Sequence, residues 1–177
     1  MTALILGPNG SGKSAYAENL AARLSTGVMY YIATMIPFGG EGRARVEKHR
    51  KQRESMGFVT IEKPYLVSGI AGAAGAVALL EDVSNLLSNA LFDSNLKADE
   101  YIVFNDITTL CGMCRDVVLV SIDGINALPE YDDETREYIE SLNRLNAMLA
   151  DYADKVVKMR EGEPIIVKGE AGADALG

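Results

Sequence analysis

A chain of 177 residues, 48% apolar and 24% charged, has the size and composition of one globular domain, long enough to bury a core between a sheet and two helix layers. Seventeen basic against 25 acidic residues leave a net charge of −8, which argues against nucleic acid or an anionic membrane as the principal partner. No apolar run approaches the roughly 20 residues of a membrane span, and Met1 leads into a strand rather than a signal peptide, so the expected compartment is the cytoplasm.

Leu4-Ile5-Leu6 read as a buried strand and Ala15 to Leu24 as a helix. Between them Gly7-Pro8-Asn9-Gly10-Ser11-Gly12-Lys13-Ser14 satisfies G-x-x-x-x-G-K-[ST] in the strand-to-helix setting that a P-loop requires. Its backbone N–H groups can turn inward, and the helix N-terminus behind them adds about half a positive charge. The result is a phosphate socket. Lys13 is expected to reach the β- and γ-phosphates and the Ser14 hydroxyl to ligate Mg²⁺ carried in with GTP or ATP.

Gly27 breaks the helical pattern, and Val28 to Ala33 read as a second strand. Its tip, Thr34-Met35, belongs at the carboxyl end of the sheet, where ligands of open α/β folds bind. A loop with Pro37, Gly39, Gly40 and Gly42 leads to the most unusual stretch. Six of the 17 basic residues (Arg43, Arg45, Lys48, Arg50, Lys51, Arg53) crowd into eleven positions around His49, the single histidine. In a helix Arg45, His49 and Arg53 share one face at i, i+4 and i+8. Neighbouring cations disfavour imidazolium, leaving a neutral nucleophile able to attack an α-phosphate and store a nucleotidyl group as a phosphoramidate. The residues alone equally describe a solvated basic helix with an incidental histidine.

Phe58 to Ile61 read as a third strand ending at Glu62, and Gly69 to Gly75 as a loop. Ala76 to Leu80 is an apolar strand running into Glu81-Asp82, as a Walker B strand does. Asp82 suits an N-cap for the helix Val83 to Leu91, which leaves Glu81 as the candidate for Mg²⁺ or the acceptor hydroxyl. Asp99 to Cys114 reads as a helix. Its Cys111-x-x-Cys114 pair lacks the further ligands of a structural zinc site, and two reduced thiols are the expectation. Val117 to Ser121 is the next buried strand, and a long amphipathic helix with an acidic start runs to about Tyr152. Lys155 to Met159 and Ile165 to Val167 form a C-terminal strand pair. Residues 1–170 are thus expected to make a single P-loop nucleotide-binding domain, with 171–177 a flexible tail.

With the loop, the Tyr31-Ile-Ala-Thr-Met35 tip, Arg45-x-x-x-His49-Arg-x-x-Arg53 and Leu79-Leu-Glu81…Asn85…Asn89-Ala-Leu-Phe92 all in order, the sequence resembles the bifunctional adenosylcobinamide kinase and adenosylcobinamide-phosphate guanylyltransferases of cobalamin biosynthesis. The resemblance implies an α/β fold, a P-loop NTPase with a RecA-like three-layer sandwich and a mostly parallel sheet, commonly as a homotrimer. It implies two reactions: phosphorylation of adenosylcobinamide with ATP or GTP, then transfer of GMP from GTP through His49 to the phosphorylated corrinoid. Carried over by position, Gly7 to Ser14, Ala33, Thr34, Met35, Arg50, Lys51, Gln52, Arg53, Glu62 and Glu81 would bind nucleotide. His49, Lys13 and Glu81 would be catalytic, and Ser14 with Glu81 would hold the metal. The chain departs from the family pattern at Ser121-Ile122, where relatives carry Asn-Glu, at Tyr138-Ile139-Glu140, and at Gly10, where relatives often carry Arg. Two other readings use the same loop: a simple P-loop kinase of a small metabolite, and a non-catalytic nucleotide-binding paralogue.

Overall fold

The computed structural model describes residues 1–36, 53, 55–70, 74–96 and 98–170. The glycine-rich loop after Ile36, the basic stretch as far as Gln52 with His49 in it, and the tail 171–177 lie outside the described residues. In chain order the elements are β1 (Thr2–Gly7), α1 (Lys13–Leu24), β2 (Met29–Ala33), β3 (Phe58–Glu62), β4 (Val77–Glu81), α2 (Val83–Phe92), α3 (Glu100–Met113), β5 (Asp116–Ile122), α4 (Asp133–Tyr152), β6 (Lys155–Arg160) and β7 (Glu163–Lys168).

Seven strands form one sheet in the order β3-β2-β4-β5-β1-β6-β7. Every neighbouring pair is parallel except β6 with β7. This is the α/β, RecA-like arrangement, with the P-loop strand β1 separated from β4 by β5. Strands β1, β4 and β5 read as near-continuous apolar runs because helices cover both faces of a parallel sheet. Their side chains alternate with the period of a strand. Ala3 and Ile5 face α1 with Leu79, Val118 and Val120, while Leu4 and Leu6 face α2, α3 and α4 with Leu80, Leu119, Ile107 and Leu145. Two cores therefore lie on either side of the sheet.

The ends of the helices explain their limits. Asp82, Asp99 and Asp132 cap α2, α3 and α4, accepting from Asn85 N at 2.7 Å, Ile102 N at 2.9 Å and Thr135 N at 2.7 Å. Helix α1 differs, since Gly12 at its start supplies no side-chain cap. Its first N–H groups are left for a ligand. Strand β7 begins at Glu163, so Pro164, expected to fall between strands, lies within one. An outer strand tolerates a residue with no N–H to donate. The turn itself is Glu161-Gly162, both with positive φ (+52° and +86°), as a two-residue hairpin of the primed type requires. Among the described residues no helix is long and apolar enough to cross a membrane.

Candidate nucleotide site

The P-loop leaves β1 and turns under α1. Gly7 lies against β6, where an added Cβ would come within 3.1 Å of the Met159 carbonyl oxygen, so the turn closes only with glycine there. Gly12 has φ +84°, a left-handed conformation that also favours glycine. Ser11 N donates to Pro8 O at 3.2 Å, and the Lys13 ammonium folds back over the loop to donate to the same carbonyl at 3.3 Å. Lys13 is buried, so its one described partner is a neutral carbonyl inside a cleft.

On the α1 face of the sheet, the Ser14 hydroxyl donates to Glu81 Oε1 at the carboxyl end of β4. The other carboxylate oxygen, Oε2, is buried without a hydrogen-bond partner among the described residues. Burial pushes the Glu81 carboxyl above its usual range, opposed by the Ser14 hydrogen bond, reinforced by Asp82, and opposed again by the Tyr31 hydroxyl that faces it and by the charge of Arg53. One turn along α1 from Ser14, Glu18 is also pushed up, first by burial and then by the charge of Glu81. Tyr31, on β2, is raised by burial and by Glu81. Arg53 closes the group, its guanidinium carbon 3.7 Å from the centre of the Tyr31 ring, buried and with Nε unpartnered among the described residues. A hard divalent cation fits this donor set. A hydroxyl and a carboxylate already converge, and the unpartnered buried oxygen is the type of ligand Mg²⁺ or its bound water takes.

The tip of β2 lies between two carboxylates: Ala33 pairs in register with Glu81 on one side and Glu62 on the other. Thr34 is fully buried and stitches the tip to β4, its hydroxyl accepting from Asp82 N at 2.7 Å and donating to Asp82 O at 2.8 Å. Asn89, on α2, donates to Thr34 O at 2.8 Å and Pro64 O at 3.1 Å. These bonds fix the tip beside the Glu81–Asp82 peptide, which is cis. Met35 is exposed.

The structure thus brings together the P-loop, Ser14, Glu81, Ala33, Thr34 and Arg53. It places Glu62 farther out, exposed at the end of the edge strand β3. His49, Arg50, Lys51 and Gln52 lie outside the described residues. Sequence reasoning missed Glu18, and it quoted Tyr31 and Asn89 only within the motifs that carry the resemblance, without a role of their own. Glu18 was findable from its i+4 spacing to Ser14 and Tyr31 from standing two residues before Ala33 on the Glu81 face; Asn89 had only its amide.

Cys111 is pushed up to about 11 by burial, and Cys114 is raised for the same reason. Both are free thiols, and no group of three His, Cys, Asp or Glu suited to a metal occurs among the described residues.

The chain is 29% identical over 177 residues to the bifunctional adenosylcobalamin biosynthesis protein CobP of Pseudomonas aeruginosa, covering 96% of this chain and 99% of that protein. Among solved structures it is similar to the flagellar accessory protein FlaH of Methanocaldococcus jannaschii (12% identity, TM-score 0.56, 96% of this chain and 78% of that one). It is similar also to the ATPase domain of G40P (12% identity, TM-score 0.54, 97% and 78%). At such identities these two speak for the fold alone. The profile of the family described as cobinamide kinase / cobinamide phosphate guanyltransferase matches residues 3–167, a span from the first strand into the last, and the chain belongs to that family.

Proposed function

We propose that the chain catalyses both reactions of its family: phosphorylation of the adenosylcobinamide hydroxyl with ATP or GTP, and transfer of GMP from GTP to the resulting phosphate through His49. The observation that carries the reading is the contact of Ser14 with Glu81 beside the P-loop, with one carboxylate oxygen left over in a buried site. In the first reaction the backbone N–H groups of Gly7 to Ser14 and the Lys13 ammonium hold the triphosphate. Lys13 leaves Pro8 O for the phosphate oxygens, and Glu81 orients the acceptor hydroxyl, whose oxygen attacks the γ-phosphorus as the nucleoside diphosphate departs and the hydroxyl proton passes to solvent. Ser14 and Glu81 would hold Mg²⁺, which when bound neutralises charge on the β- and γ-phosphates. In the second reaction a neutral His49 nitrogen attacks the α-phosphorus of GTP and pyrophosphate leaves. The phosphate oxygen of the acceptor then displaces the imidazole, giving the GDP-linked corrinoid and regenerating His49. Arg53 sits on Tyr31 at the α1 face and would lend its charge to the phosphates, together with Arg50, Lys51 and Gln52. Ala33, Thr34, Met35 and Glu62 would line the nucleotide. The subunits are expected to work as a homotrimer in the cytoplasm.

Labelling with α-phosphate-labelled GTP tests the reading. A stable, acid-labile label that disappears in His49→Ala supports it. Absence of label in the wild type removes the guanylyl transfer, and corrinoid-dependent nucleotide turnover without label leaves a simple kinase. Binding without turnover leaves a nucleotide-binding paralogue.

A further inference from the structure

The opposite face of the sheet, toward α4, carries a second polar group that none of the steps above uses. Asp123 follows β5 and its N–H donates to Gly7 O at 3.4 Å, which ties it to the first residue of the P-loop. Its two carboxylate oxygens receive the two terminal nitrogens of Arg160, each at 3.0 Å, in a bidentate pair. Lys158 Nζ lies 3.4 Å from Oδ2. Lys158 and Arg160 stand two apart on β6 and so point to one face. The strand they end turns at Gly162, whose Cα would lie 3.9 Å from a Cβ on Gly12, so the hairpin abuts the P-loop itself.

The charges do not cancel. Two cations share one carboxylate, so the trio carries one net positive unit, with Glu161 and Glu163 exposed on the turn beyond it. Burial pushes Asp123 up, but the Arg160 hydrogen bonds and the charges of Arg160 and Lys158 outweigh it and hold the carboxyl below its usual range, so it stays ionised. Among the described residues Arg160 spends three of its five N–H donors, two on Asp123 and one on Met159 O at 3.0 Å. Two remain, and both cationic side chains are 40% exposed. Ser121 Oγ on β5 and Asn146 Oδ1 on α4 are buried with no hydrogen-bond partner among the described residues, while Asn146 Nδ2 donates to Ile122 O at 2.8 Å, next to Asp123. Buried polar atoms without partners are uncommon and mark places where a ligand or its water completes the set.

We propose that Arg160 and Lys158, aligned by Asp123, form a second anion subsite on the α4 side of the P-loop that holds a phosphate group during the reaction. The inference rests on the reading that nucleotide occupies the P-loop. A phosphate here belongs either to the far end of the nucleotide chain or to the phosphorylated acceptor of the second reaction. The fixed fork of a paired guanidinium recognises either source. Asp123 is a positioning residue: it touches the guanidinium and sets the direction of the free N–H groups.

Calorimetric titration of Mg·GTP into the wild type, Asp123→Asn/Arg160→Gln and Lys158→Gln, and of inorganic phosphate into the same proteins preloaded with GDP, tests the proposal. The double variant removes both members of the pair and leaves no lone buried charge, and Lys158→Gln leaves the Asp123–Arg160 pair in place should the double variant fail to fold. The expected loss is about tenfold or more in one affinity, as for a charge-assisted hydrogen bond. A loss confined to GTP assigns the nucleotide phosphate, and a loss confined to inorganic phosphate assigns the acceptor. Asp123→Asn alone adds one positive unit: weaker phosphate binding supports alignment by Asp123, whereas tighter binding shows plain charge attraction and overturns it. Equal binding of both probes by wild type and variants overturns the subsite. A wild type that binds no GTP instead refutes the nucleotide reading, and the phosphate titration without GDP then decides the subsite alone.

Discussion

Replacing Glu81 by Gln tests what its buried charge costs the ligand-free protein and what it contributes to holding Mg²⁺. Glutamine keeps an oxygen to accept from Ser14 but removes the charge of a buried carboxylate whose second oxygen has no partner among the described residues. An unsatisfied buried group costs about 1–3 kcal/mol, and since the amide nitrogen of glutamine also needs a partner, the net gain expected for the ligand-free protein is about 1 kcal/mol. At about 2.1 cal/mol/K of unfolding entropy per residue, that raises the melting temperature by about 3 °C. The pH dependence follows from the direction of the shift. Glu81 is raised above its ordinary 4.5 in the folded chain, so its penalty is absent where both states are protonated, grows as pH rises through and above that value, and persists at neutral pH. The variant should therefore match the wild type near pH 4 and exceed it near pH 7. Mg·GTP at a hundred times its dissociation constant should stabilise the wild type by about 2.7 kcal/mol and the variant by much less. Scanning calorimetry with and without Mg·GTP across that pH range reads both effects. A ligand-free variant that melts below the wild type at pH 7, or one that keeps the full Mg·GTP gain, would refute the reasoning.

Gly12→Ala forces a left-handed conformation on a residue with a Cβ and should cost about 1–2 kcal/mol in chemical denaturation, with loss of nucleotide binding. Asp106→Ala leaves Val67 N and Ser68 N, now bound at 2.6 and 3.0 Å, without their acceptor and should cost about 1–3 kcal/mol, with faster amide exchange confined to the loop after β3. Leu145→Ala empties a fully buried site under the α4 face and should cost about 2–5 kcal/mol in urea, with nucleotide affinity intact. Burial raises Asp116, but Arg115 and the Met1 ammonium outweigh it and hold its carboxyl low. Its stabilisation is present above the ordinary 3.8 and is lost as pH falls through the depressed value, so Asp116→Asn should flatten the acid limb of the stability profile.

The parallel core was legible because burial on both faces demands long apolar runs, and Leu4 to Leu6, Ala76 to Leu80 and Val117 to Ser121 have no other place to go. The P-loop was legible for a different reason: its backbone geometry admits few residue types at Gly7 and Gly12. Glu81 emerged by elimination once Asp82 was recognised as a cap. Asn89 stood in a quoted motif, but its role was hidden because an amide inside a helix announces nothing until the loop it ties is in place. Arg160 was hidden too, since a basic residue ending a strand reads as solvent-facing, and its partner Asp123 is 37 positions away and joined only by the packing of β5 and β6 around β1. Pro164 misled the reading of the last strand, because whether a missing donor matters depends on the neighbour it would have served.

That outermost strand carries Ile165 and Val167 at 52% and 56% exposure, an apolar margin of the kind that invites other chains to extend a sheet. Its sequence works against such recruitment. Pro164 contributes no hydrogen to a would-be ladder, Glu163 and Lys168 bracket the apolar pair with opposite charges, and the Lys168 ammonium is already engaged by Ala150 O at 3.1 Å and Asp151 O at 2.7 Å. Solubility of the chain thus depends on three residues of that strand, Glu163, Pro164 and Lys168, and changes there would surface as aggregation during expression.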